Sequence, residues 1–141
     1  MVMLEVWYDQ RATDDEHTDE PALMIDTVQE LDTLVDRAIR DYGDGPCFGM
    51  IEISIAANRW GPTMEVGLGP KLGFVHYLAS DADCWTGGDA SRTGRVVYSY
   101  MGSVSEIPAS AEVPTEVVRE CLHQFLATGQ RPTGLVDAIS D

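Results

Sequence analysis

A chain of 141 residues, 44% of them hydrophobic, is long enough to bury one core and too apolar to stay disordered. Twenty-four acidic residues against nine basic ones leave a net charge of −15. A field of that sign repels nucleic acid and anionic membranes, which both need Lys and Arg to displace counterions, and it steers toward a basic surface.

Three cysteines, Cys47, Cys84 and Cys121, are odd in number and show no paired spacing, which argues against a disulfide framework. The chain opens on no charged-and-apolar leader, and no apolar run approaches the roughly 18 residues of a membrane span. The expectation is a cytoplasmic protein with a single domain over residues 1–141.

In chain order, Met1 to Tyr8 is an apolar run of good strand formers and reads as a first strand. Asp9 to Glu20, crowded with Asp14, Asp15, Glu16, Asp19 and Glu20, reads as a solvent loop, and Pro21 to Asp26 as a short second strand. Thr27-Val28-Gln29-Glu30 is a capping box, in which the threonine oxygen takes the Glu30 N–H and the glutamate reaches back to the threonine N–H. Val28, Leu31, Leu34, Val35, Ala38 and Ile39 then mark one face of a helix over Thr27 to Asp41, and Tyr42 to Pro46 ends it.

Strands follow. Gly49 to Ala56, Thr63 to Leu68 and Lys71 to Leu78 alternate apolar and polar residues and predict an antiparallel meander. Ala79 to Thr93, with Asp81, Asp83, Asp89, Trp85 and a Gly-Gly pair, reads as the longest loop. Gly94 to Pro132 then predicts a hairpin turning at Met101-Gly102-Ser103, and a helix opened by Pro114. Val118, Cys121, Leu122, Phe125 and Leu126 form its apolar stripe, and Gly129 and Pro132 stop it. Thr133 to Asp141 reads as a weak tail. The expected architecture is α+β, a single antiparallel sheet of about six to seven strands with two helices packed on one face.

Motifs of chemistry are missing. His17, His76 and His123 stand apart at no ligand spacing, and Asp81, Asp83 and Asp89 lack the mid-loop glycine and closing glutamate of a calcium loop. There is no Gly-x-Ser-x-Gly elbow. Cys121 sits in an apolar stripe, and Cys84, exposed if the loop reading holds, has no basic neighbour to make it a thiolate. The sequence predicts no enzyme, no metal and no cofactor. Trp7 reads as core and Trp60 as a ring folded back on a sheet edge. For Trp85 two readings stand level, an edge cover and an exposed anchor for a basic partner.

Tyr98, Tyr100, Gly102, Glu106-Ile107-Pro108, Val113-Pro114, Phe125-Leu126, Thr128-Gly129 and Arg131-Pro132 form a series. With Thr27, Glu30, Leu31, Asp32, Leu34 and Val66-Gly67-Leu68-Gly69 upstream, it resembles the first-numbered family of immunity proteins of bacterial polymorphic toxin systems, common in actinobacteria. Members of that family often carry a tryptophan-bearing strand after Arg-Pro, where this chain has Thr133 to Asp137, which leaves a closing strand open. The resemblance implies an inhibitor without catalysis that binds a cognate secreted toxin, one that attacks nucleic acid as a deaminase or nuclease does. An acidic surface would then cover the toxin's basic substrate cleft. Charge and loop placement, rather than the motif, nominate Asp81, Asp83, Trp85 and Asp89 as contacts, with Asp14, Asp15 and Glu16 second. The expected assembly is a monomer or weak homodimer. The alternative is a small-ligand-binding or enzymatic domain with its site on the open sheet face, around His76, Tyr98 and Tyr100.

Overall fold

The alternations and stripes of the sequence become ten strands and two α-helices in the computed structural model, which describes residues 1–7, 22–42, 47–58, 60–100 and 103–137. In chain order these are β1 (Leu4–Trp7), β2 (Leu23–Ile25), α1 (Val28–Tyr42), β3 (Phe48–Ile55), β4 (Thr63–Leu68), β5 (Leu72–Ala79), β6 (Ala82–Thr86), β7 (Arg95–Tyr100), β8 (Ser103–Pro108), a 3-10 turn at Ala109–Ala111, β9 (Val113–Pro114), α2 (Thr115–Thr128) and β10 (Leu135–Asp137). The main sheet runs β10-β6-β5-β4-β3-β1-β2, antiparallel at every step. Short β9 pairs with the start of β5. One contact departs from the antiparallel expectation: β7 runs parallel to the start of β3, with Tyr98 opposite Phe48 and Ser99 opposite Gly49.

The fold is α+β with both helices on one face, as the stripes predict. Leu4, Val6, Ile51, Ile53, Met64, Val66, Leu68, Val75 and Tyr77 point to one side of the pleat. They pack against Leu31, Leu34, Val35 and Ala38 of α1 and against Val118, Cys121, Leu122, Phe125 and Leu126 of α2. Each valine, leucine, isoleucine, methionine or phenylalanine side chain so withdrawn from water contributes about 1.5–3 kcal/mol before the entropy of ordering is charged against it. Across the helix pair, Arg119 donates to Asp32 at 3.2 Å and to Asp36 at 2.8 Å, and His123 Nε2 lies 2.7 Å from Asp32. The His123 bond, against slight burial and together with Arg119, holds the Asp32 carboxyl below its ordinary range.

The helix ends follow the local chemistry. Glu30 N–H donates to Thr27 Oγ1 at 3.1 Å, as a capping box requires. The return contact differs from expectation: Glu30 Oε1 accepts from the Thr27 hydroxyl at 3.0 Å and from Asp26 N–H at 3.5 Å. Helix α2 follows Pro114 and stops at Gly129, where φ is 68° and the N–H donates to Phe125 O at 2.7 Å.

Three strands exceed the expected six to seven. Segment Ala82–Thr86 is β6 rather than loop: Ser80 and Asp81 make a two-residue turn, Ala79 pairs with Ala82, and Cys84 and Thr86 are buried. Two residues suffice for β9. The tail contributes β10, which buries Leu135 and pairs it with Thr86. The Met101-Gly102 turn and the Gly43 to Pro46 stop lie outside the described residues. No described helix is long and apolar enough to cross a membrane.

The β7–β8 hairpin folds toward the second sheet face and buries Tyr98 and Ile107 with Met50, Phe74 and Ala111. Gly67 admits it, since a Cβ there would stand 2.4 Å from the Phe74 ring and 2.8 Å from Tyr98. The Tyr98 and Phe74 rings meet edge-on at 4.9 Å. Beyond this small cluster, no described helix covers the second face.

Candidate functional site

A period of two residues sends Glu5 and Trp7, Glu52, Glu65, His76, Asp83 and Trp85 to that second face. Strand register then aligns them. Trp7 lies opposite Glu52, Glu52 opposite Glu65, Glu65 opposite His76, His76 opposite Trp85 and Trp85 opposite Val136, a single row across six strands. Glu5 and Asp83 stand beside the row. Among the described positions that β1 to β6 and β10 present on this face there is no lysine or arginine, and Arg92 and Arg95 lie beyond Trp85 at its border.

His76 is the centre of the row. Its Nδ1 lies 2.9 Å from Glu65 Oε1, its Nε2 lies 2.6 Å from Asp83 Oδ1, and its ring stacks on Trp85 at 3.7 Å with 9° between the planes. Burial favours the neutral imidazole, but the hydrogen bonds to Glu65 and Asp83 and their charges outweigh it, so the His76 pKa is raised. Two carboxylates around one imidazole leave the cluster net negative whether or not the ring is protonated.

The two tyrosines near the face are already engaged. Tyr100 donates its hydroxyl to Glu52 Oε2 at 3.1 Å, and burial followed by the Glu52 charge pushes its pKa up. Tyr98 is buried and donates to Glu112 Oε2 at 2.6 Å, while Arg92 donates to Glu112 Oε1 at 3.1 Å. Of the trio His76, Tyr98 and Tyr100, only His76 and Tyr100 therefore border the open part of the face, and both hydroxyls are spent on carboxylates.

The nominated contacts fall in different places. Asp83 and Trp85 sit on the second face, in a strand and not in a loop. Asp81 is exposed in the turn that joins β5 to β6. Asp89 lies in the segment after β6, where its Oδ1 accepts from Ser91 N–H at 2.9 Å and from the Ser91 hydroxyl at 2.6 Å. Those bonds shape a turn and lower the Asp89 pKa. Asp14, Asp15 and Glu16 lie outside the described residues, as does His17.

Three expectations need correction. Trp7 is not core but 37% exposed, because it shares a face with Glu5 and not with Leu4 and Val6. Trp60 does not fold back on an edge: it is 90% exposed in the turn between β3 and β4. Cys84 is buried rather than exposed, because β6 turns it toward the helices, and burial raises its pKa. Sequence reasoning missed Glu52 and Glu65, although each alternates with core residues in a predicted strand. Among the described residues, no three His, Cys, Asp or Glu side chains are arranged to hold a metal.

Residues 19–137 match the family model of Immunity protein Imm1. The chain belongs to the Imm1 immunity protein family. No individually curated protein matches it. The family implies a toxin as partner, and the matched span takes in every element of this Imm1 chain from β2 to β10. The carboxylates of the row, with His76 and Trp85, thus lie inside the part that defines the family, and only Glu5 and Trp7 precede it.

Proposed function

We propose that this Imm1 protein neutralises a cognate secreted toxin that acts on nucleic acid, as a deaminase or nuclease does, by laying its second sheet face over the toxin's basic substrate cleft. A cleft that holds phosphates must be cationic. The observation that carries the reading is the composition of that face: Glu5, Glu52, Glu65 and Asp83 with Trp7 and Trp85, and no lysine or arginine at the described positions that β1 to β6 and β10 present there.

The contrast with the helix side supports the choice of face. There, Asp32 and Asp36 are met by Arg119, and Asp41 has Arg37 at 3.8 Å and Arg40 at 3.7 Å. Among the described residues of the second-face row, Glu65 and Asp83 meet a histidine and Glu52 a tyrosine hydroxyl, which leaves the negative potential to steer a cationic partner. The tryptophans supply the apolar anchoring that charge alone does not. Inhibition by cover requires no chemical step and no cofactor. Within this reading Asp81, Asp83 and Trp85 contact the toxin directly, and Asp89 holds the adjoining loop. Asp14, Asp15 and Glu16 add charge from the sequence that follows Trp7.

Calorimetry with the purified product of the adjacent toxin gene tests it, at low and at high salt, on the wild-type chain and on Asp81→Lys with Asp83→Lys. Tight binding that weakens with salt, and a loss of tenfold or more in the double variant, is the expected result. Equal affinity and equal salt dependence for the two chains would remove these aspartates from the interface.

A further inference from the structure

Next to the carboxylate row the surface opens into a cavity of about 600 Å³, within the size range of sites that bury a ligand group. Trp85 and Val136 wall it on the side of the sheet, Ala90 stands on the loop side, Ala111 belongs to its lining, and Arg92 and Arg95 line it as well. Two of the nine basic residues of a strongly acidic chain thus meet at one hollow.

The walls are held before any partner arrives. Gly88 N–H donates to Ser110 O at 2.8 Å, and Gly88 packs so closely that a Cβ would fall 1.9 Å from Glu112 O. Arg92 N–H donates to Asp89 O at 3.0 Å, which closes the turn that Asp89 and Ser91 build. The Arg92 guanidinium is fixed by Glu112, whose side chain is 8% exposed and also takes the Tyr98 hydroxyl. A guanidinium has five N–H donors, so Arg92 and Arg95 can each serve an additional acceptor. Little ordering cost then remains for binding.

We infer that this cavity is the anchor of the toxin interface, and that it takes an apolar side chain of leucine or aromatic size from a toxin segment whose flanking carbonyls accept from Arg92 and Arg95. The inference rests on the reading of the second face as the toxin-binding surface and adds to it the chemistry of the partner. Trp85 makes the two parts continuous, because one indole both ends the carboxylate row and walls the cavity. An inserted side chain is shielded from water by the contacts around it, which is how a few residues come to dominate an interface. The partner surface is therefore cationic opposite Glu52, Glu65 and Asp83, and apolar with exposed carbonyls opposite the cavity.

The test compares Ala90→Trp, which fills the cavity from an exposed position, with the wild-type chain by calorimetry against the same toxin. Thermal unfolding checks the fold. Arg95→Gln, also at an exposed position, serves as the second variant should Ala90→Trp fail to fold. Loss of about thirtyfold in affinity for Ala90→Trp, equal at low and high salt, is the result that supports the anchor. The loss from Asp81→Lys with Asp83→Lys, in contrast, shrinks as salt rises. Wild-type affinity in both Ala90→Trp and Arg95→Gln, with the charge variant still impaired, overturns the anchor and leaves the toxin-binding face standing. No binding by the wild-type chain at either salt overturns both. Saturable binding of 4-phenylbutyrate that toxin does not displace would reassign the cavity to a small anionic ligand.

Discussion

Replacing His76 by glutamine should lower stability more at pH 6 than at pH 9, because the wild-type histidine gains from two carboxylates only while it is protonated. Glu65 and Asp83 lie 2.9 and 2.6 Å from its two ring nitrogens. The His76 side chain is 12% exposed, but those of Glu65 and Asp83 are 37% and 55% exposed, so solvent screens both pairs. Each pair then contributes about 0.5 kcal/mol, and the two together about 1 kcal/mol. A histidine whose folded pKa is raised contributes this fully below its unfolded value of about 6.5 and loses it as pH rises through the folded value. The substitution also costs the stacking on Trp85, a loss that is larger for the charged ring and so acts in the same direction. Urea unfolding of both chains at pH 6 and pH 9 reads the quantity. The destabilisation should be about 1 kcal/mol larger at pH 6, or roughly 4 °C in a thermal midpoint for a chain of this size. A difference that is absent, or larger at pH 9, would refute the assignment of His76 as the cation held between the two carboxylates.

Tyr98→Phe removes the hydroxyl donated to Glu112 at 2.6 Å and leaves a buried carboxylate to be held by Arg92 at 3.1 Å. It should cost about 1–3 kcal/mol in urea unfolding, and a loss below about 0.5 kcal/mol would show that the network contributes little. Thiol labelling at pH 8 should modify Cys47 first, since it is the most exposed of the three cysteines. Burial raises the pKa of Cys84 and pushes that of Cys121 up to about 11, so both should react only after unfolding. Labelling of Cys84 at the rate of Cys47 in the native chain would mean that β6 and β10 open readily.

What the sequence discloses follows the reach of its signals. Helix α1 is legible because Thr27 and Glu30 set its start and a stripe at helical spacing sets its face. Helix α2 is legible because Pro114 and Gly129 bracket a second stripe. Strands β3, β4 and β5 each alternate over six or eight residues and could be read without a partner. Strand β6 could not. Its five residues carry one aspartate, follow Asp81 directly and precede a Gly-Gly pair and Asp89, and that composition hides the Cys84 and Thr86 alternation that only the helices above make meaningful. The row through Trp7, Glu52, Glu65, His76 and Trp85 depends on five strands and their register, which no local pattern sets. Trp7 was within reach, however. The same alternation that buries Leu4 and Val6 places Trp7 beside Glu5 on the opposite face.

The register also shows where stability has been forgone. Glu52 and Glu65 stand directly opposite each other on neighbouring antiparallel strands, an arrangement that costs about 0.2–1 kcal/mol relative to an uncharged pair. A lysine at either position would turn the repulsion into attraction. Instead the Tyr100 hydroxyl offsets one carboxylate and His76 the other, and neither adds a permanent cation to the face. The helix side of the same molecule spends Arg119 on two aspartates, so the chain does pair its charges there. The contrast accords with the proposal of a surface kept negative for a cationic partner. In the proposed complex a cationic partner would relieve the repulsion between Glu52 and Glu65, so that it adds to the affinity what it takes from the stability of the free protein.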